Sequence, residues 1–441
     1  MTKFAPIKER RYIVPLAMVT SLFFVWAIGV NLNDVLIQHL KKAFGLTDFQ
    51  SSLIQFAFFG GYFLAAYPAG WLMQRIGYKR GILTGLLVCA SGTFLFIPAA
   101  SVRVYAFFLF ALFVMACGQS VLEVAANPYV TTLGPAESSE QRLNLAQSFN
   151  ATGAFLVALL GSKFILSGIE YTAAQQAAMS PKELLNYRVW EANMVKTPYM
   201  VITGIFLFIA VLIFLTKLPE IQESKAARPK DARPGEGYAR LSGALEFPHL
   251  LKGVLAQFCY VGAQVGVASF IIRFSEFTLS GTHERAAARF LQAHLFGFML
   301  GRFSGSAMMH KIAPSRLLGI FAAGSLLCLM VILLASGWPT IVAIVLLGFF
   351  HSIMFPTIFA LSIKDLGPYT KLGSSLLVMS IIGGAVCPLI MGRISDAWNI
   401  QRAFAVPLLC HAFVLYFAVT GYRSTRSLPL GSAMAVSPDE V

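Results

Sequence analysis

The chain has 441 residues, of which 57% are hydrophobic and only 12% are charged, with a formal net charge of +14. Soluble globular proteins carry about 25% charged residues, and a chain this apolar holds more hydrophobic surface than a water-surrounded core could bury, which argues against a large soluble helical protein. The basic excess needs no nucleic-acid partner, because it follows the membrane topology that the apolar stretches predict.

Twelve apolar stretches recur along the chain, each close to the roughly 20 residues that a helix needs to cross the hydrocarbon of a bilayer. Each is continuously apolar, which favours helices over the shorter, alternating strands of a membrane barrel. With both termini in the cytoplasm, most Lys and Arg residues fall in cytoplasmic segments, as the positive-inside rule requires. The predicted spans are 12–32, 50–73, 81–99, 104–130, 143–167, 198–217, 250–274, 290–309, 316–336, 340–363, 372–394 and 403–422.

The first span ends in polar residues, whereas a secretory signal would end in a small-residue cleavage site. Asn31 and Asp34 are three residues apart and share a helical face, and Trp26 lies about one and a half turns earlier. An amide beside a carboxylate suits a sugar, because sugar hydroxyls both donate and accept hydrogen bonds, and an indole can stack on the sugar ring. The alternative is that Asp34 only marks the outer end of the span.

Glu123 lies inside the fourth span between apolar neighbours, with Asn127 one turn later. A carboxylate at bilayer depth is costly unless it is paired, hydrated or protonated, so such residues usually face a functional cavity. Because burial disfavours the charged form, Glu123 is suited to take up and release a proton, as coupling to a proton gradient requires. The alternative is a protonated structural carboxyl that is hydrogen-bonded to a neighbouring helix.

Two later spans also carry polar stripes. Gln147 and Asn150 are three residues apart in the fifth span, and Gln257, Tyr260 and Gln264 follow one another at helical spacing in the seventh. Each stripe alone is equally consistent with hydrogen bonds that hold helices together. Taken with the first span and Glu123, the stripes favour a polar cavity between the helices.

The polar segment 218–249 separates six spans from six, and predicts a cytoplasmic linker between an N-terminal half, 1–217, and a C-terminal half, 250–441. Short basic turns in matching places of the two halves favour an internal repeat, which would put a binding site between the halves near mid-membrane. Between the fifth and sixth spans, Ser180 followed by Pro181 predicts the start of a short amphipathic helix.

Other residue types carry less information. The sequence has no nucleophile elbow, HExxH, phosphate-loop or dinucleotide motif, which argues against an enzyme. The six cysteines all fall in apolar spans without CxxC spacing, so we expect free thiols and neither a metal site nor a disulfide framework. His351 in the tenth span could gate protons but is equally consistent with packing, and we do not assign it to the site.

Several strings, spread over all but the extreme termini, match one known family as a set. They are Ser21-Leu-Phe-Phe with Trp26, Asn31-Leu32-Asn33-Asp34, Leu122-Glu123 followed by Ala125-Ala126-Asn127-Pro128, Arg142-Leu-Asn-Leu-Ala-Gln147, Thr197-Pro-Tyr-Met, Ala256-Gln257-Phe-Cys-Tyr-Val-Gly-Ala-Gln264, Pro356-Thr-Ile-Phe and Gly373-Ser-Ser. In these strings the chain resembles the fucose permeases, which are sugar–proton symporters of the major facilitator superfamily.

The resemblance implies twelve helices in two six-helix halves that open a central site to each side of the membrane in turn. The key acidic residues of that family fall on Asp34 and Glu123, and its cavity amides fall on Asn31, Gln147 and Asn150. The superfamily's gating-loop motif is matched at Gly70, Arg75, Gly77 and Lys79. Its usual acidic residue is Gln74 in this chain.

The C-terminal wall of the cavity departs from the fucose pattern. Met354 and Phe355 stand where that pattern has Gln and Tyr, and Ala268 and Phe270 stand where it has Trp and Tyr. Losing a partner for a sugar hydroxyl can change discrimination by orders of magnitude. L-fucose is therefore our first expectation, and a related hexose or deoxyhexose, such as glucose or galactose, is the second.

We expect an all-helical, monomeric integral protein of a bacterial inner membrane, which lies in the lipid bilayer and takes up a small sugar with protons. We expect no cofactor besides the coupling proton, no metal and no nucleic-acid partner. Asp34 and Glu123 would couple the proton, and the sugar would contact Trp26, Asn31, Asp34, Gln147, Asn150 and Gln264. The alternatives are an exporter with a more apolar cavity, a sensor that binds without transport, and a membrane enzyme.

Overall fold

The computed structural model describes residues 10–44, 48–165, 175, 178–216, 218, 241–279 and 284–424. Helices make up the secondary structure of these ranges, and no strand occurs in them. We number the long helices α1 to α12 in chain order. They are α1 Arg10–Phe44, α2 (48–76) and α3 (78–102) within the element Asp48–Val102, α4 Tyr105–Thr132, α5 Ser139–Ile165, α6 Lys196–Leu215, α7 Pro248–Thr278, α8 Glu284–Met308, α9 Pro314–Leu334, α10 Trp338–His351 continued by Met354–Ile363, α11 Thr370–Met379 continued by Gly383–Ala397, and α12 Ala405–Tyr416.

These helices confirm the twelve predicted spans. Among the described residues, eight helical stretches are long and apolar enough to cross a membrane, and the stretch 53–102 contains both α2 and α3. Helix α1 contributes the shorter apolar stretch Ile13–Gly29. Helices α5 and α8 are more polar, which is the composition expected of helices that face the interior of a bundle rather than lipid.

Burial follows the period of the helix. In α1 the buried residues Val19, Leu22, Phe23, Trp26 and Ala27 recur at spacings of three and four, which forms one stripe that faces the other helices. In α6, by contrast, large apolar side chains are exposed along the helix. The most exposed are Val201, Phe208, Phe214 and Leu215. A surface of this kind is stable in contact with lipid hydrocarbon, not with water.

Local sequence explains two features of the helix ends, the break at Gly77 and the cap at Ser180. Gly77 separates α2 from α3 with φ 78° and ψ 177°, a conformation that is essentially restricted to glycine. Ser180 caps the helix Pro181–Met194, where its hydroxyl accepts from the Glu183 amide and the Glu183 carboxylate accepts from the Ser180 amide. This capping box confirms the helix start that the sequence predicts at Ser180 and Pro181.

The N-terminal helices α1–α6 meet the C-terminal helices α7–α12 along two main lines. Helix α5 packs against α8 and α10, and α2 packs against α11. Of the predicted linker 218–249, residues 219–240 lie outside the described residues, and the remainder includes the short helix Leu241–Ala244. The contact lines between the halves determine where the central polar residues lie.

Gly70 lies at a close approach of α2 to α11. A Cβ atom at position 70 would lie 1.8 Å from the Ser375 hydroxyl oxygen and 3.0 Å from the Lys371 carbonyl oxygen. We expect Gly70→Ala to lower stability by about 1–3 kcal/mol through overpacking, and Gly70→Ala with Ser375→Ala to recover part of the loss. Thermal unfolding in detergent measures both effects.

The matched control is Gly60→Ala, because a Cβ atom at Gly60 on the same helix would meet nothing within 4 Å. A double variant no more stable than Gly70→Ala alone would show that Ser375 is not the limiting contact.

Candidate functional site

Glu123 lies at the centre of the polar residues in the N-terminal half. It is 5% exposed and belongs to the continuously buried part of α4. Asn127, one turn later, and Tyr62 of α2 lie beside its carboxyl group, and the charge of Arg302 of α8 acts on it. The carboxylate predicted from sequence therefore has both polar neighbours and an opposite charge.

Arg302 is a buried cation that reaches from the C-terminal half into the N-terminal half. It is 4% exposed. Its Nε donates to the Ser352 carbonyl over 3.0 Å, and its Nη1 donates to Gln147 Oε1 over 2.8 Å and to the Gln147 carbonyl. A guanidinium in a low-dielectric interior is stable only when hydrogen bonds and an opposite charge replace its hydration. Glu123 supplies that charge.

Gln147 connects this cation to the helix that carries Glu123. Its Nε2 donates to Asn127 Oδ1 over 3.1 Å, while its Oε1 accepts from Arg302. The hydrogen bonds run from Arg302 through Gln147 to Asn127, one turn from Glu123, and so join α8, α5 and α4. Hydrogen bonds in such a network depend on one another, so a change in charge at Glu123 is felt across the boundary between the halves.

Helix α1 borders the same site through Trp26. The indole is 3% exposed, stacks on Phe23 with ring centroids 5.4 Å apart, and lies beside the Tyr62 hydroxyl. Asn150 of α5 donates from Nδ2 to the Phe23 carbonyl over 3.3 Å. Tyr62 thus lies beside both Trp26 and Glu123. On α5, Gln147 contacts the helix of Glu123 and Asn150 contacts the helix of Trp26.

Buried donors in this region that have no hydrogen-bond partner among the described residues include Trp26 Nε1 and Asn127 Nδ2. A buried donor without a partner is unfavourable by about 1–3 kcal/mol. A ligand with several hydroxyl groups would satisfy both, which fits the expectation of a sugar.

Two predicted site residues, Asn31 and Gln264, are not joined to this group. Asn31 donates from Nδ2 to the Ala27 carbonyl of its own helix over 2.7 Å. Gln264 is half-buried on α7, with no hydrogen bond to the other site residues in the described part of the chain. The side chain of Asp34 lies outside the described residues, so its predicted role stays a prediction.

The predicted gating-loop residues are Gly70, Arg75, Gly77 and Lys79. The Arg75 guanidinium lies 3.6 Å from the centroid of the Trp71 ring, a cation–π contact. Lys79 Nζ donates to the Phe214 carbonyl over 3.1 Å, which favourably places a cation at the carboxyl end of α6. Lys79 therefore joins α3 to α6, while Gly70 lies against α11.

His351 lies inside the C-terminal half, next to Ser352, whose carbonyl accepts from Arg302. Its ring stacks on His411 at 4.7 Å between centroids and meets His294 edge-on at 5.9 Å. The Tyr260 hydroxyl donates to the His351 carbonyl over 2.8 Å. All three rings are buried, and these contacts agree with the packing alternative for His351.

Sequence reasoning missed Arg302 and Tyr62 as site residues. Arg302 had a usable signal, because a charge inside an apolar span deserves the same argument that identified Glu123. Tyr62 had no usable sequence signal, because a tyrosine within an apolar helix does not by itself indicate a functional site. In the described part of the chain, no group of His, Cys, Asp or Glu has an arrangement that could hold a metal ion.

The chain is similar in sequence to known membrane transporters. The sequence pattern of the Major Facilitator Superfamily matches residues 18–374. The chain is 43% identical over 413 residues to the L-fucose-proton symporter of Escherichia coli (strain K12), covering 93% of this chain and 94% of that protein. It is 41% identical over 417 residues to the glucose/galactose transporter of Brucella abortus biovar 1 (strain 9-941), covering 94% and 96%.

The fold is similar to that of a solved structure as well. The crystal structure of FucP, a Major Facilitator Superfamily transporter in the outward conformation, superposes with a TM-score of 0.86 at 42% sequence identity. The match covers 94% of this chain and 100% of that one.

Proposed function

Since the chain belongs to the Major Facilitator Superfamily, we propose that it is a proton-coupled sugar symporter that carries L-fucose or a related hexose or deoxyhexose by alternating access. The observation that carries this proposal is the buried carboxylate of Glu123, on which the charge of Arg302 acts and which lies one turn from Asn127, the partner of Gln147. The chain is a membrane transporter and not an enzyme. Relatives named as sugar transporters weigh against the exporter alternative.

Glu123 takes up the proton, because a carboxyl group in this position can be either neutral or ionised, with its charge compensated by that of Arg302. Asp34 is the second coupling residue and contacts the sugar. Gln147 and Asn150 bind sugar hydroxyls through amides, which both donate and accept. Trp26 stacks on the ring and offers its free Nε1. Asn31 and Gln264 complete the set from α1 and α7.

Protonation of Glu123 removes the negative charge that compensates Arg302. A buried cation without a counter-charge is unfavourable, so the hydrogen bonds that Arg302 makes across the halves must rearrange. Because those bonds join α8 to α5, the rearrangement changes how the halves meet. This links proton uptake to alternating access in the manner expected of a site between two repeats.

The protein lies in the bacterial cytoplasmic membrane with both termini in the cytoplasm, and acts as a monomer. The N-terminal half comprises 1–217 and the C-terminal half 250–441, joined by the cytoplasmic linker 218–249. The concentration of Lys and Arg in the segments assigned to the cytoplasm supports this orientation.

Uptake into proteoliposomes with an imposed pH gradient tests the function. We expect L-fucose, glucose or galactose to accumulate when the outside is acidic, and unlabelled competitors to rank the three sugars. Uptake without dependence on the pH gradient would contradict symport. Transport of hydrophobic cations in preference to all three sugars would favour an exporter.

A further inference from the structure

Polar residues on one face of α5 hold the C-terminal half along a line that we call the α5 seam. The Lys364 ammonium lies 3.6 Å from the Glu140 carboxylate. Asn144 Nδ2 donates to Thr357 Oγ1 over 3.1 Å. Gln147 accepts from Arg302. The α5 positions 140, 144 and 147 recur every three or four residues, so they share one helical face.

Helix α8 and the turn that follows it contribute one further contact each near the Glu140 end. The Ser306 hydroxyl donates to the Gln141 carbonyl over 3.4 Å, and the Gln141 side-chain amide contacts the His310 ring. Beyond Gln147 the character of the interface changes, because Phe155 of α5 meets Phe296 of α8 with ring centroids 5.4 Å apart. The polar seam therefore extends from Glu140 to Gln147, where it reaches the proposed sugar site.

Gln147 belongs to both the seam and the site. Its carbonyl oxygen accepts from Arg302 and its amide donates to Asn127. A side-chain amide has one acceptor atom and two N–H donors in fixed directions. Gln147 Oε1 has two lone pairs, so a sugar hydroxyl that donates to it would share this oxygen with Arg302.

We propose that Arg302 is a positioning residue that competes with the sugar for Gln147, so that sugar binding loosens the α5 seam. The Glu140–Lys364 pair at the other end sets how firmly the seam is closed without sugar. The competition rests on the proposed function, whereas the role of the ion pair does not. Sugar binding at the Gln147 end of the α5 seam then favours separation of the two halves along the seam as far as Glu140.

The reporter for seam opening is Ser306→Cys, because Ser306 is 3% exposed and its hydroxyl contacts α5. A membrane-permeant maleimide reacts with this thiol when the halves separate. The parent chain with its six native cysteines gives the background rate. The reporter reads conformation in purified protein and requires no transport.

Without sugar, we expect Lys364→Met to raise the labelling rate about two- to fivefold, the range for an ion pair with one exposed partner. Lys252→Met is the matched control, since it removes a cation from α7 outside the seam, and we expect the parent rate. An unchanged rate in Lys364→Met would overturn the role of the ion pair.

With saturating L-fucose or galactose, we expect faster labelling in the otherwise unaltered reporter chain. Sugar binding to the same protein is measured by titration calorimetry. If sugar binds and labelling is unchanged or slower, the competition is wrong. If neither sugar binds or is transported, the proposed function fails instead, and the sugar-free comparison still decides the role of the ion pair.

Arg302→Lys separates competition from a structural role. Lysine keeps the positive charge near Glu123 but lacks the planar fork that donates to Ser352 and Gln147 together. Competition predicts a severalfold lower dissociation constant for the sugar with a slower maximal transport rate. A purely structural role predicts weaker binding, and that result in a folded variant would overturn the assignment.

Discussion

Replacing Glu123 with Gln is expected to abolish accumulation of sugar against its gradient while sugar exchange continues. Glutamine keeps the size and hydrogen-bonding capacity of the side chain but cannot release a proton. A pH difference of one unit supplies about 1.4 kcal/mol per proton, which is about a tenfold accumulation of sugar. The accumulation ratio in Glu123→Gln should therefore fall to about one at every imposed pH difference.

The measurement is uptake of radiolabelled sugar in proteoliposomes, with counterflow as the readout for exchange. Glu276→Gln is the control, because Glu276 is exposed on α7 and its loss should leave accumulation unchanged. If Glu123→Gln still concentrates sugar as the parent does, the proton is carried elsewhere, and Asp34→Asn becomes the decisive variant.

Removing Arg302 is expected to be the most destabilising change in the site. Arg302→Met leaves the Glu123 carboxylate without its buried counter-charge and breaks the bonds to Gln147 and Ser352. Removing one partner of a buried pair lowers stability by about 3–5 kcal/mol. Adding Glu123→Gln to Arg302→Met should recover a large part of this loss, because no uncompensated charge then stays buried.

A double-mutant cycle of thermal unfolding in detergent measures the coupling between the two residues. Arg273→Met is the control, since that guanidinium is exposed and lies over the Phe270 ring, and we expect an effect within about 1 kcal/mol. Additive losses in the cycle would mean that Glu123 and Arg302 do not compensate each other.

The twelve spans were predictable because the thickness of the bilayer imposes a local length requirement on each helix. The capping box at Ser180 was predictable for a similar reason, since cap and partner lie three residues apart. These features depend on neighbours in sequence, and the structure agrees with both.

Only part of the site was predictable. Glu123, Gln147, Asn150 and Trp26 stood out as polar or aromatic residues in apolar helices, and the structure brings them together. The partnership of Gln147 with Arg302 could not be read from sequence, because it depends on how α5 and α8 pack across the halves. For Asn31 the limit is local. Its amide donates to the backbone of its own helix instead of to the site, and helical spacing does not reveal such a bond.

The close approach of Gly70 and Ser375 offers a way to hold the two halves in one conformation. A Cβ atom at position 70 would lie 3.1 Å from the Ser375 Cβ, slightly nearer than the roughly 3.8 Å typical of a disulfide. Cysteines at both positions could therefore form a covalent cross-link after a small outward shift. Oxidised protein would be a homogeneous specimen for crystallisation or single-particle imaging, and a reductant would return it to its working cycle.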